Sequence, residues 1–193
     1  MNICIISAST REHAASKHVA KYVQTHLQTL STSDTSSMLD LHQANLPLWQ
    51  EGATPDAHIQ DQLEQADGFV FVVPEWHGMV PPAFKNIFFY FNPCFAHKPV
   101  YIVSVSAGTG GRYPISELRM SSYKNSFINY IPVSTIVDHV NDTINEKGEF
   151  IAPTDFIAQR IDEGLQFLME YTKALSQVRQ SDIFKEHRFK NGL

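Results

Sequence analysis

The stretch GFVFVVPEWHGMVPPAFKN, Gly68 to Asn86, decides the fold. Its first half, GFVFVVP, is a short unbroken apolar run rich in β-branched residues. That composition suits a strand buried on both faces, as in a parallel sheet. Its second half passes through a proline-bounded loop into AFKNIFFYF, which reads as a helix. A strand feeding a helix through a stiff loop is one half of a βαβ unit.

The same alternation extends in both directions. Upstream, ICIIS (Ile3 to Ser7) is a second buried run. Ala15, Val19, Ala20, Val23, Leu27 and Leu30 then fall at helical spacing and predict a helix over 15–30. SMLDL, from Ser37, is a weak strand. A helix is expected to begin near Asp56, whose carboxylate suits a cap. Downstream, Lys98–Ser106 is a strand, a helix follows from Ile115 to about Asn125, and Ile131–Val140 is a fifth strand. NDTINEKGEF is rich in turn residues and suggests a small hairpin, and a long helix is predicted over about 155–178. Strands alternating with helices imply a parallel sheet covered on both faces. Five strands fit the doubly wound order 2-1-3-4-5. No repeat or linker divides the chain, so the expectation is one α/β domain over 1–180 with a partly basic tail over 181–193.

Composition narrows the function. The 193 residues carry a formal net charge of -5, which argues against a nucleic-acid partner because phosphate neutralisation needs a basic face. The two cysteines, Cys4 and Cys94, are too few for a disulfide framework. The nine histidines show no metal-ligand spacing, so no metal site is expected. No stretch approaches the ~20 apolar residues of a membrane span. MNICIIS is too short and uncharged to be a signal peptide, and the expected location is cytoplasmic.

In a doubly wound sheet the loops at the carboxyl ends of the strands bind ligands. Three of those loops are chemically unusual here, and strands one, three and four are neighbours in the expected order. SASTREHAAS (Ser7–Ser16) combines hydroxyls with Arg11 at a helix start. That suits an anion held by backbone amides, Ser9, Ser16 and a forked guanidinium. The bland alternative is that Ser9 and Thr10 cap the helix and Arg11 is a solvated charge. The loop lacks both the dinucleotide glycine fingerprint and the Walker lysine, so one terminal phosphate fits better than a pyrophosphate. In the second loop, Pro74, Glu75, Trp76, His77 and Gly78 offer flat side chains and backbone amides for a planar heterocycle. Alternatively, Trp76 packs into the core. In the third, SAGTGGRYP, Ser106, Gly108, Gly110 and Gly111 let backbone approach a ligand, and Arg112 could meet an anionic co-substrate.

Taken together, these three loops resemble those of the NADPH-dependent FMN reductase family, which includes bacterial quinone, chromate and azo-dye reductases of flavodoxin-like fold. That family's first loop typically reads G-S-x-R-x-x-S and its second P-E-Y-N-x-x-x-P-x-x-x-K-N. The matching residues are Ser9, Arg11, Ser16, Pro74, Glu75, Gly78, Pro81, Lys85 and Asn86, and the likeness covers roughly residues 1 to 140. Ala8 stands where the family has glycine, the Arg11–Ser16 spacing is longer, and Trp76 and His77 replace tyrosine and asparagine. The resemblance implies bound FMN, its phosphate on Ser9, Arg11 and Ser16, its ring against Pro74–Gly78, and the Ser106–Gly111 loop closing the other side. Hydride would pass from NADPH or NADH to the flavin and on to a small acceptor such as a quinone or free flavin. No catalytic side chain is required, because the flavin carries the chemistry. The competing reading is an electron carrier or flavin-binding regulatory module without turnover. The aromatic helix FKNIFFYFNP has more rings than one core face needs, which suggests a homodimer or a dimer of dimers.

Overall fold

In the computed structural model, which describes residues 1–31, 33–151 and 153–185, five parallel strands form one sheet. The strands are β1 (Asn2–Ser7), β2 (Thr35–Asp40), β3 (Gly68–Pro74), β4 (Pro99–Val105) and β5 (Asn129–Val137). Their order is β2-β1-β3-β4-β5, as the alternation predicts. The helices are α1 (Ala15–Leu30), α2 (Leu41–Ala44), α3 (Ala57–Glu64), α4 (Pro82–Phe91), α5 (Arg112–Met120), α6 (Val140–Thr143), α7 (Asp155–Gln180) and α8 (Asp182–Lys185). Residues 186–193, most of the expected basic tail, lie outside the described residues.

Strand periodicity divides the core in two. On β3, Phe69, Phe71 and Val73 face one layer, where they meet Phe84, Ile87 and Phe91 of α4 and Leu63 of α3. Val70 and Val72 face the other, with Val19 and Val23 of α1 and Ile161, Leu165 and Leu168 of α7. All five residues of Phe69–Val73 are fully buried, which is why the run is apolar without interruption. The aromatic residues of α4 mostly enter this core: Phe84 stacks edge-on against Phe71 and Phe88, and Phe88 also meets Phe95. Phe89 alone of these rings stays largely exposed, at 66%.

Element ends depart from the sequence expectation where turns intervene. β2 starts two residues early, and the expected strand residue Leu41 instead opens α2, because Asp40 accepts a hydrogen bond from His42 N and caps it. α5 begins at Arg112 rather than Ile115 and stops at Met120, where the Ser121 and Ser122 hydroxyls donate to the carbonyls of Glu117 and Leu118. Serine hydroxyls that take up helix carbonyls compete with its continuation. β5 ends at Val137 because His139 adopts a left-handed φ of 44°. The expected hairpin over 141–150 reduces to one bridge, Ile144 to Phe150, whose Phe150 ring packs edge-on against Tyr22 of α1. Asp56 caps α3 as expected, accepting from Ile59 N at 3.0 Å.

Packing of α7 on the sheet depends on Gly164. A Cβ there would lie 2.3 Å from Cζ of Tyr101, a fully buried ring whose hydroxyl donates to Thr135 Oγ1. Gly164→Ala should therefore lower the melting temperature. An overpacking cost of about 1–3 kcal/mol outweighs the gain of about 1 kcal/mol from alanine's helix propensity. A melting temperature equal to or above the parent would show that α7 yields without cost.

Ionisation adds a second expectation. Burial pushes the Cys4 and Cys94 thiols up to about 11. Burial likewise raises the phenols of Tyr22, Tyr101 and Tyr130. The unfolded chain releases these protons at lower pH than the folded one, so their contribution to stability is lost as pH rises past about 9. Lys98 acts in the opposite sense, since burial lowers its ammonium to about 8. Five acids outnumber one base, and urea midpoints should fall from pH 9 to 11; a flat profile would contradict the burial of these groups.

Candidate active site

The loops after β1, β3 and β4 meet at the carboxyl edge of the sheet. Ser9, Arg11, Ser16, Pro74, Glu75 and Trp76 line a single solvent-open cleft of ≈ 120 Å³ there, together with His13, Val105, Ala107, Val140 and Asn141. Six of the residues singled out from the sequence thus share one site.

The first loop leaves several hydrogen-bond donors unused at the head of α1. Ala14 is the N-cap of α1, no side chain caps the helix, and its first turn has no acidic residue. Neither Ser9 nor Thr10 caps it, contrary to the capping half of the bland reading. Ser9 accepts from Arg11 N at 3.2 Å, which shapes the loop and leaves the hydroxyl proton available to donate. Ser16 is buried in the first helical turn, and its Oγ has no hydrogen-bond partner among the described residues. Buried hydroxyls are normally satisfied. Arg11 is exposed, and no described residue pairs with its guanidinium. His42 of α2 reaches back to hold the Thr10 carbonyl at 2.9 Å; since a carbonyl only accepts, the ring donates through Nδ1. Ala8, in the place of the family glycine, is fully buried, and its amide donates to Val72 O at 3.0 Å.

The second loop is a two-residue hairpin. Trp76 and Met79 exchange both backbone hydrogen bonds, at 3.0 and 2.9 Å, and the central His77 and Gly78 have φ of 51° and 72°. Positive φ at both positions is what such a turn needs. It turns the amides of His77 and Gly78 outward, and neither has a partner among the described residues. The Glu75 amide extends the sheet by donating to Val105 O. Its carboxylate accepts from Gly111 N at 2.7 Å and Tyr113 N at 3.4 Å, across the start of α5. Negative charge is favoured at a helix N-terminus.

The glycines of the third loop divide by role. Gly108 faces open space, whereas a Cβ on Gly110 would lie 2.7 Å from Ser106 Oγ and one on Gly111 2.7 Å from Ile136. The last two are glycine because the protein's own atoms leave no room. Arg112 is exposed at the first position of α5, and Tyr113 beside it lies against Gly78. Thr109 bonds His139 at 3.0 Å, tying this loop to the one after β5.

Sequence reading missed His13 and Asn141. Asn141 was within reach of the same rule that found the others, since β5 is the neighbour of β4 and its loop emerges at the same edge. Glu117 of α5 was also passed over; it accepts from Val80 N at 2.7 Å and pairs with Lys85 of α4. Asn86 of α4 pins an irregular segment, donating to Pro47 O and accepting from Trp49 N, each at 2.8 Å. The second-loop motif residues Lys85 and Asn86 therefore hold the scaffold rather than line the cleft.

Comparison with known proteins identifies the family and the fold. The model of the NADPH-dependent FMN reductase family matches residues 1–142. An NADPH azoreductase of Bacillus sp. (strain OY1-2) is 26% identical over 159 residues, spanning 79% of this chain and 85% of that one. The flavoenzyme NAD(P)H:(acceptor) oxidoreductase FerB of Paracoccus denitrificans superposes with a TM-score of 0.69 at 16% identity, covering 91% of this chain and 97% of its own. The NADH:FMN oxidoreductase EMOB superposes with a TM-score of 0.67 at 14% identity, covering 90% of this chain and 89% of its own. The family model spans well over half of the sequence, and the chain belongs to the NADPH-dependent FMN reductase family, enzymes with FMN as cofactor and NAD(P)H as co-substrate.

Proposed function

We propose that the protein passes reducing equivalents from NAD(P)H through FMN to a small acceptor such as a quinone or free flavin, with the three loops as the flavin site. The carrying observation is the start of α1: an uncapped helix, the unpartnered buried Ser16 hydroxyl, and the unpaired Arg11 guanidinium. Ser9 and Ser16 donate to phosphate oxygens, the α1 amides and helix dipole add to them, and Arg11 supplies charge-assisted bonds. The outward amides of His77 and Gly78 suit the polar edge of a planar ring, and Pro74 and Trp76 supply apolar surface beside them. Gly110 and Gly111 would belong to the loop closing the far side, and Arg112, exposed at the head of α5, would meet an anionic nicotinamide co-substrate. When bound, FMN supplies the two-electron chemistry, and the protein contributes position and electrostatics.

Turnover is favoured over simple electron carriage by the open cleft and by a mild net charge of -5, which gives no strongly acidic docking face. A second copy of the chain is favoured by exposed Leu48, Trp49 and Phe89, the last two with ring centroids 6.0 Å apart. Scattered exposed apolar residues are ordinary, but a contiguous group invites a partner.

Two outcomes are expected. The purified protein binds FMN, and anaerobic NADPH bleaches it; flavin that binds but stays oxidised would favour the carrier, and no flavin binding would remove the assignment. Arg11→Ala and Ser16→Ala should each raise the FMN dissociation constant about 10–100-fold while leaving riboflavin, which lacks the phosphate, unaffected. Equal effects on both flavins would place the phosphate elsewhere.

A further inference from the structure

Two carboxylates run in opposite directions between the second loop and α5. Glu75, on the loop, accepts from the amides of Gly111 and Tyr113 at the head of the helix. Glu117, on the helix, accepts from Val80 N at 2.7 Å, just past the Trp76–Met79 hairpin, and pairs with Lys85 of α4. The hairpin closes on itself through its own two backbone bonds. It is therefore a stiff unit held to α5 at both ends, once by its own carboxylate and once by the helix's.

The two ends differ in kind. Lys85 is half-exposed, and an ion pair there is worth little. Val80 is 1% exposed, so its amide has no water to turn to, and the Glu117 oxygen is its partner. A buried donor left without an acceptor bears the full desolvation penalty. The contact that matters is therefore the one from Val80 N to Glu117 Oε2, not the ion pair.

We propose that Glu117 is a positioning residue for the flavin ring. By holding the Val80 amide it sets where the hairpin stands relative to α5, and so where the free amides of His77 and Gly78 are presented. Glu117 does not line the cleft and belongs to neither sequence motif; it acts through the loop. The inference rests on the flavin reading of the cleft.

The test compares Glu117→Ala with Glu117→Gln by FMN titration, by the visible circular dichroism of FMN at saturation, and by the melting temperature without flavin. Glutamine keeps an oxygen acceptor for Val80 N but no charge for Lys85. Alanine should weaken FMN roughly tenfold and alter the dichroism of the bound flavin, whereas glutamine should stay within about threefold with the parent spectrum. Parent-like affinity and spectrum in Glu117→Ala would overturn the inference, as would equal losses in both variants with an unchanged spectrum. Should Glu117→Ala not fold, Glu117→Asp retracts the acceptor by one methylene; it should shift the bound-flavin spectrum, and an unshifted spectrum would overturn the inference. A parent protein that binds no FMN would instead remove the flavin assignment itself, and separates that failure from this one.

Discussion

Everything at the ligand edge follows from one constraint: a parallel strand buried on both faces cannot return through a tight turn. Each of β1, β3 and β4 must cross over through a helix, so each exits at the same edge of the sheet. The apolar runs that satisfy both core layers thus gather three polar loops in one place. The loops need not attract one another, because the sheet brings them together.

Within that edge, some polar groups are satisfied by the scaffold and others are not. Glu75, Glu117, Lys85, Asn86 and His42 are spent on other parts of the protein, fixing loops and segments. Arg11, Ser16 and the hairpin amides are left without partners among the described residues. On the proposed flavin reading, such donors are in place before the ligand arrives, which lowers the ordering cost of association.

Legibility tracked locality. The element types, the sheet order and the convergence of the loops followed from apolar period and the rules of parallel topology. Element ends were less readable at α2, α5 and β5, where a capping Asp40, the Ser121–Ser122 hydroxyls and the left-handed His139 interrupt the periodic signal. The exposed character expected of the α4 aromatics was largely mistaken, since a helix beneath an aromatic-rich strand can bury more than one stripe of rings.

By itself the sequence determined that the chain would form alternating strands and helices and where its loops would converge. Those properties depend on residues adjacent in the chain, through side-chain period. Only the tertiary structure decided what each polar group faces. Glu75 turned to α5, Gly110 and Gly111 to Ser106 and Ile136, and Glu117 to the amide of Val80, 37 positions away. Except for Gly110 and Ser106, four residues apart, these pairings form between residues distant in sequence and close in space, and no local pattern records them.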